Sequence, residues 1–347
     1  MQEEELRNLQ SHIRRYFPAG EQQLVRFRRQ YLQKLDLKHI TFPPVELLQL
    51  YDVQRWIYEF VRDPPADEHR PKLDHNILNE LVKRIEDAVK DAEEPDVFDP
   101  LVELAAELCM QPRLPALEAV QRDVWVSYEA PGDEDMLRQE SIKLLEKPQV
   151  LAATGCTGYR TWQAALALAT RITAEWLPAS KLVGKRVLEL GAGTGLLSFV
   201  CAKYGEVDLV VATDGAQDAV ERLKLTSEIN GLSKTRKSTY GIYWWGEPFE
   251  GTAIGEALDT GRPFDIVLAA DVVRAPFPPF KSIDPARFIS LTLQQTYDPA
   301  SLSSLVKTFS MLLAINPHTL VVVSATFRNQ TTFNGFLRIC SEFCYDI

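Results

Sequence analysis

The chain has 347 residues, a formal net charge of −10, 46% hydrophobic residues and 25% charged residues. That length allows two domains with separate cores, and the composition is ordinary for a globular protein. The acidic balance disfavours a general binder of phosphate backbones, and no apolar run approaches the roughly 18 residues of a membrane span. The first 30 residues are charged and contain no apolar core segment, so no signal peptide is expected. The five cysteines (Cys109, Cys156, Cys201, Cys340 and Cys344) form no CxxC pair and have no histidine placed to complete a metal site. They read as buried free thiols of a reducing compartment, which with the missing leader predicts a cytoplasmic protein without a metal.

Residues 1–120 read as an all-α domain. Leu24, Phe27, Tyr31 and Leu35 recur at helical spacing, with Arg26, Arg28, Arg29 and Lys34 between them on what reads as a solvated face. Leu47 to Phe60 and Ile77 to Val89 predict two further helices, and Pro100 to Met110 a fourth. Pro43-Pro44 and Pro64-Pro65 punctuate the boundaries. The character changes near residue 122. Val124 to Tyr128 alternates like a strand, Pro131-Gly132-Asp133 predicts a turn, and Ser141 to Leu145 predicts a second strand.

From Val187 the pattern becomes strand and helix in alternation, which implies a parallel sheet covered by helices. Strands are predicted at 187–190, 209–213, 238–245, 264–270 and 319–324, and helices at 163–176, 196–204, 216–230, 301–314 and 332–342. After the first strand comes Gly191-Ala192-Gly193-Thr194-Gly195, a turn of bare backbone opening a helix. This arrangement suits a nucleotide-like ligand at the carboxyl end of a strand. The dinucleotide fingerprint requires a third glycine where Leu196 stands, which disfavours a nicotinamide enzyme. Asp214 ends the second strand 23 residues after Gly191, where its carboxylate can accept hydrogen bonds from ribose hydroxyls.

Glu189-Leu190-Gly191-Ala192-Gly193-Thr194-Gly195 with Asp214 resembles the first motifs of class I S-adenosylmethionine methyltransferases. The resemblance narrows over residues 140–342. Gly155 to Leu166, the glycine loop, Thr213-Asp214-Gly215, Trp245-Gly246 and Ala270-Asp271 are similar to the lysine-specific branch of the seven-β-strand methyltransferases. Within that branch the chain most resembles the enzymes that methylate translation elongation factor 2, which carry a helical amino-terminal extension. The resemblance implies a Rossmann-like, doubly wound α/β domain at 121–347 behind the all-α domain. It also implies S-adenosylmethionine as cofactor, a protein substrate (elongation factor 2), no nucleic acid or membrane partner, and a monomer. By position, Trp162, Gly191, Ala192, Gly193, Asp214, Trp245 and Ala270 would hold the cofactor. Asp271 and Tyr297 would line the catalytic lysine channel. A non-catalytic cofactor-binding module, or a methyltransferase with another protein or a small-molecule acceptor, stands as the alternative.

Two departures from the family pattern stand out. The family places an aromatic three residues after the acid that ends the fourth strand, but Asp271 is followed by Val272-Val273-Arg274. Removing Val273 to Gln295 joins Asp271-Val272 to Thr296-Tyr297 and restores the motif. Residues 273–295 therefore read as a non-native insertion, a translated intron bounded by GT and AG, with a lid over the substrate side as the rival. The second departure is the carboxyl end, where the closing strands of the sheet read as truncated and would leave an unpaired edge.

Overall fold

The computed structural model describes residues 1, 3–62, 74–90, 96–110, 122–129, 136, 141–147, 157–233, 237–271, 288–292 and 299–325. The chain divides into two compact units, Met1–Gln149 and Val150–Ile347.

Among the described residues the first unit has six α-helices: α1 (Glu3–Tyr16), α2 (Gly20–Leu32), α3 (Val45–Leu48), α4 (Tyr51–Val61), α5 (His75–Val89) and α6 (Asp99–Met110). The stretch that reads as one helix from Leu47 to Phe60 is two, because Leu50 is extended between α3 and α4. Phe27, Tyr31, Trp56, Phe60, Ile77, Leu81 and Ile85 lie in one apolar core. Asp74 caps α5 by accepting the backbone N–H groups of Asn76 and Ile77, a contact usually worth about 1 kcal/mol.

A hairpin of β1 (Val124–Glu129) and β2 (Ser141–Glu146) belongs to the same unit. It is antiparallel, with Val124 opposite Glu146 and Glu129 opposite Ser141. The compact unit thus runs past residue 120, where the helical pattern ends. The arginine-rich face of α2 is solvated only in part: Arg26 is exposed, whereas Arg28 departs from the expectation. Arg28 is buried, pairs with Glu129 at 2.9 Å and donates to the carbonyl oxygen of Met136 at 2.9 Å. Arg29 reaches the same carboxylate at 3.4 Å. Glu129 at the end of β1 is the reason: the hairpin supplies α2 with an acceptor that helical spacing does not reveal. Of the cysteines among the described residues, Cys201 is buried as expected, whereas Cys109 is exposed.

The second unit is built on β3 (Arg186–Leu190), β4 (Leu209–Asp214), β5 (Ser238–Ile242), β6 (Ile266–Ala270), β7 (Phe288–Thr292) and β8 (Leu320–Ala325). These six form one sheet in the order β5-β4-β3-β6-β8-β7, with every pairing parallel. The helices are α7 (Gln163–Arg171), continued by a wider turn over Ile172–Trp176, α8 (Leu196–Tyr204), α9 (Gln217–Ile229), α10 (Ala253–Leu258) and α11 (Pro299–Ile315). Val187, Leu188, Val210, Val211, Val267, Leu268, Val321 and Val322 are buried, as near-continuous apolar strands in a helix-covered parallel sheet must be.

The sheet differs from the expected pattern in two places. The third strand stops at Ile242, because Trp244 and Trp245 leave the ladder for a turn at Gly246, whose φ is +83°. In addition, residues 288–292, inside the stretch 273–295, pair with β8 from Phe288 opposite Val321 to Thr292 opposite Ala325. The β8 edge that reads as open is therefore paired. The predicted helix at 332–342 lies outside the described residues, as does Tyr297. Strand order reverses across β3, with β4 on one side and β6 on the other. In sheets of this kind the crevice at such a reversal, outside the carboxyl ends of the strands, is where ligands bind.

Candidate active site

The glycine loop occupies that crevice. Leu190 ends β3, and Gly195 stands at the N-cap of α8 with a left-handed φ of +82°. A Cβ there would come within 2.3 Å of Leu223 and 2.7 Å of Phe199, so only glycine permits α8 to start this close to α9. Gly193 has φ +52°, and a Cβ on it would press on the Gly158 backbone at 3.3 Å. The Gly193 N–H donates to Asp214 Oδ2 at 2.9 Å, the Ala216 N–H donates to Asp214 Oδ1 at 3.0 Å, and the Ala192 N–H donates to the Thr213 carbonyl at 2.9 Å. Asp214 thus ties the loop after β3 to the end of β4 while its carboxylate stays half-exposed.

The segment before α7 lies on this loop. Gly158 packs on Gly193, and Thr161 Oγ1 bonds to Thr194 Oγ1 at 2.7 Å in a buried contact. The Tyr159 hydroxyl donates to Asp218, and the Arg222 guanidinium sits 4.7 Å from the Tyr159 ring centre. These anchors deliver Trp162 to the N-cap of α7, half-buried, with the Arg160 guanidinium 5.7 Å from its ring.

The Trp162 side chain makes no capping hydrogen bond. Asp271 supplies the acceptor instead, its Oδ2 taking the Ala164 N–H at 3.1 Å. Asp271 follows β6 with φ +54°, and its own N–H donates to the Ser324 carbonyl at 2.7 Å. Ser324 Oγ in turn donates to the Ala164 carbonyl at 2.9 Å. The ends of β6 and β8 and the start of α7 are joined in one ring of hydrogen bonds, with Ala270 beside it opposite Ser324.

Glu189 is buried under the loop, where its carboxylate accepts both the N–H and the hydroxyl of Ser198. Burial raises its pKa to about 7. The Ser198 hydrogen bonds oppose the rise and the negative charge of Asp214 adds to it. Trp245 is half-buried against the apolar cluster that includes Leu190, Tyr243, Leu305 and Phe309. Its neighbour Trp244 points outward and lies against Gly215. Gly191, Ala192, Gly193, Asp214, Trp162, Ala270 and Asp271 therefore meet around one end of the sheet. Tyr159, Thr161, Trp244 and Ser324 join the site without being among the expected site residues. Tyr159 and Thr161 lie inside the 155–166 motif and Trp244 adjoins Trp245, whereas no sequence signal marks Ser324.

The donor and acceptor chemistry fits an adenosyl cofactor. Backbone free of side chains at Gly191 and Gly193 admits an amino-acid group, and the half-exposed carboxylate of Asp214 has lone pairs for ribose hydroxyls. Among the described residues no cluster of His, Cys, Asp or Glu could hold a metal ion.

Comparison with known proteins agrees. A lysine methyltransferase family model matches residues 143–276. The chain is 35% identical to protein-lysine N-methyltransferase EFM3 of Chaetomium thermophilum over 322 residues, covering 92% of this chain and 87% of that protein. It is 30% identical to EFM3 of Saccharomyces cerevisiae over 223 residues, 60% of this chain and 55% of that one. It is also 28% identical to the human protein-lysine N-methyltransferase EEF2KMT over 234 residues, 63% of this chain and 62% of that one. A relative matched at this identity across most of both chains places the sequence: the chain belongs to the S-adenosylmethionine-dependent protein-lysine methyltransferases.

Proposed function

We propose that the acceptor is a lysine of translation elongation factor 2, and that the protein works as a cytoplasmic monomer. The observation that carries this reading is the resemblance of residues 155–166, 189–195, 213–215, 245–246 and 270–271 to the enzymes of that specificity, together with the meeting of Trp162, the glycine loop, Asp214 and Asp271 around one end of the sheet. Residues 1–120 serve as the helical domain, with the β1–β2 hairpin in the same unit, and the catalytic chemistry belongs to the second unit, from Val150.

In this reading Gly191, Ala192 and Gly193 underlie the amino-acid end of the cofactor, Asp214 holds the ribose, and Trp162, Trp245 and Ala270 enclose the remainder. When bound, the cofactor supplies a methyl group on a sulfonium, ready for in-line displacement by an amine. The protein aligns the nitrogen with that methyl and excludes water, which supplies much of the rate. A lysine in water has a pKa near 10.4 and must arrive neutral. An apolar channel favours the neutral amine through desolvation. The family pattern assigns that channel to Asp271 and to Tyr297, with Asp271 orienting the amine from the end of β6. No strong general base is needed, since the proton is lost before transfer.

Incubation of the full-length protein with labelled methyl donor and purified elongation factor 2 tests the reading. Label is expected on a single lysine-containing peptide, and none with Asp214→Ala. Label on another protein, with elongation factor 2 unmodified, would refute the proposed acceptor.

A further inference from the structure

Two tryptophans stand side by side after β5, and the fold sends them to different places. The ladder pairs Asp214 with Ile242, and the Tyr243 N–H extends it by donating to the Asp214 carbonyl at 3.0 Å. Trp244 therefore emerges one residue beyond the ladder, beside the turn that follows Asp214. Alternation turns Tyr243 inward, where it is 2% exposed in the core, and turns Ile242 and Trp244 outward at 40% and 66% exposure. Trp245 goes back toward the apolar cluster.

The indole of Trp244 is not loose on the surface. A Cβ on Gly215 would touch three atoms of its six-membered ring at 3.3, 3.4 and 3.6 Å, so the ring lies against the bare backbone of the residue after Asp214. A ring braced on one side and open on the other, one residue from the carboxylate proposed to hold the ribose, is placed to receive a flat apolar base. Ile242, in register with Asp214, extends the same apolar surface. Small-molecule sites combine a few placed polar groups with aromatic and aliphatic walls, and this margin offers both.

We propose that Trp244, flanked by Ile242, is the outer wall of the adenine site, with Trp245 bracing it from the core side. The proposal rests on the family's methyl donor and adds a binding residue to it. It also explains why Gly215 carries no side chain: any larger residue would push the indole off its brace, since a Cβ alone already stands at close contact.

The test is equilibrium binding of S-adenosylhomocysteine, followed by tryptophan fluorescence and by calorimetry, with the full chain and its Trp244→Ala, Trp244→Phe and Asp214→Ala variants. Loss of one base–aromatic stack predicts that Trp244→Ala weakens binding about tenfold or more and removes most of the fluorescence change. Trp244→Phe keeps a stacking face and is expected to stay within about threefold of the parent protein. Melting temperatures should not differ, because the side chain is mostly in water. Parent-like affinity in Trp244→Ala overturns the proposal, and so does unchanged affinity accompanied by a raised KM for the protein substrate, which would assign the indole to the acceptor. Absence of binding by the parent protein overturns the cofactor reading itself, and with it this proposal.

Discussion

Asp271 accepts the backbone N–H of Ala164 at 3.1 Å, so the carboxylate at the end of β6 caps the helix that Trp162 begins. An acid can therefore do two things here, holding α7 and facing the substrate side. Asp271→Asn separates them. Asparagine keeps an oxygen for the Ala164 amide and tolerates the φ of +54° as well as aspartate does. The variant is expected to keep its melting temperature and its affinity for S-adenosylhomocysteine. Its kcat is expected to drop roughly 10- to 100-fold, the worth of a hydrogen bond to a charged group. An unchanged kcat would reduce Asp271 to a cap. Asp271→Ala, which removes the cap as well, is expected to lose about 1 kcal/mol of stability in addition.

The two glycines of the loop should respond differently to alanine. Gly195→Ala places a methyl 2.3 Å from Leu223 in a left-handed backbone, so about 1–2 kcal/mol of conformational cost is joined by a steric clash. That variant is expected to melt well below the parent. Gly193→Ala carries the same left-handed cost at φ +52° but meets the Gly158 backbone only at 3.3 Å, a contact relieved by a small shift of the segment that packs on the loop. It is expected to fold, with a modest loss of melting temperature and a much larger loss of cofactor affinity. Thermal melts and calorimetric titration on the same samples separate the two outcomes.

Much of this site was legible in the sequence, because backbone chemistry governs it. A strand followed by alternate glycines can do little except turn into a helix, and a carboxylate closing the next strand falls beside that turn by the geometry of a parallel sheet. Contacts formed across long separations were not legible. Ser324 reaches Ala164 over 160 residues and Arg28 reaches Met136 over 108, and neither pairing leaves a periodic trace. Trp244 and Trp245 were indistinguishable until the end of β5 was fixed at Ile242, since a one-residue shift of register exchanges the inward and outward faces. The edge strand Phe288–Thr292 was hidden for a related reason: the proline-rich stretch preceding it shows no alternation.

The buried pair of Arg28 and Glu129 makes a prediction for the first unit. Both side chains are at least nine-tenths buried, at 1% and 6% exposure, and Arg28 also lies 5.5 Å from the Trp56 ring. Removing Arg28 leaves the buried Glu129 carboxylate with only the longer 3.4 Å pairing to Arg29, a loss at the lower end of the about 3–5 kcal/mol that breaking a buried pair costs. Arg28→Met is expected to show that loss in chemical denaturation. Arg28→Met with Glu129→Gln should recover part of it, because the under-compensated buried carboxylate is gone. A double variant as unstable as the single would mean that the Met136 carbonyl contact, not the charge, holds the hairpin.

Glu189 gives the pH dependence. Its folded-state pKa of about 7 lies above the ordinary 4.5, so the folded protein binds this proton more tightly than the unfolded chain does. Stability rises with pH where the unfolded state carries more protons, and here the folded state carries more. The contribution is therefore greatest below pH 4.5, falls as pH climbs from 4.5 to about 7, and is flat above that. The total change is on the order of 3 kcal/mol, from one proton at about 1.4 kcal/mol per unit. Glu189→Gln removes the titration and leaves an oxygen to accept the N–H and hydroxyl of Ser198. Denaturation curves for the two proteins should coincide in acid and diverge toward neutrality, with the glutamine variant the more stable at pH 8. Curves that stay parallel across the range would mean that Glu189 titrates in the folded protein as it does in the unfolded chain, its burial fully offset by Ser198.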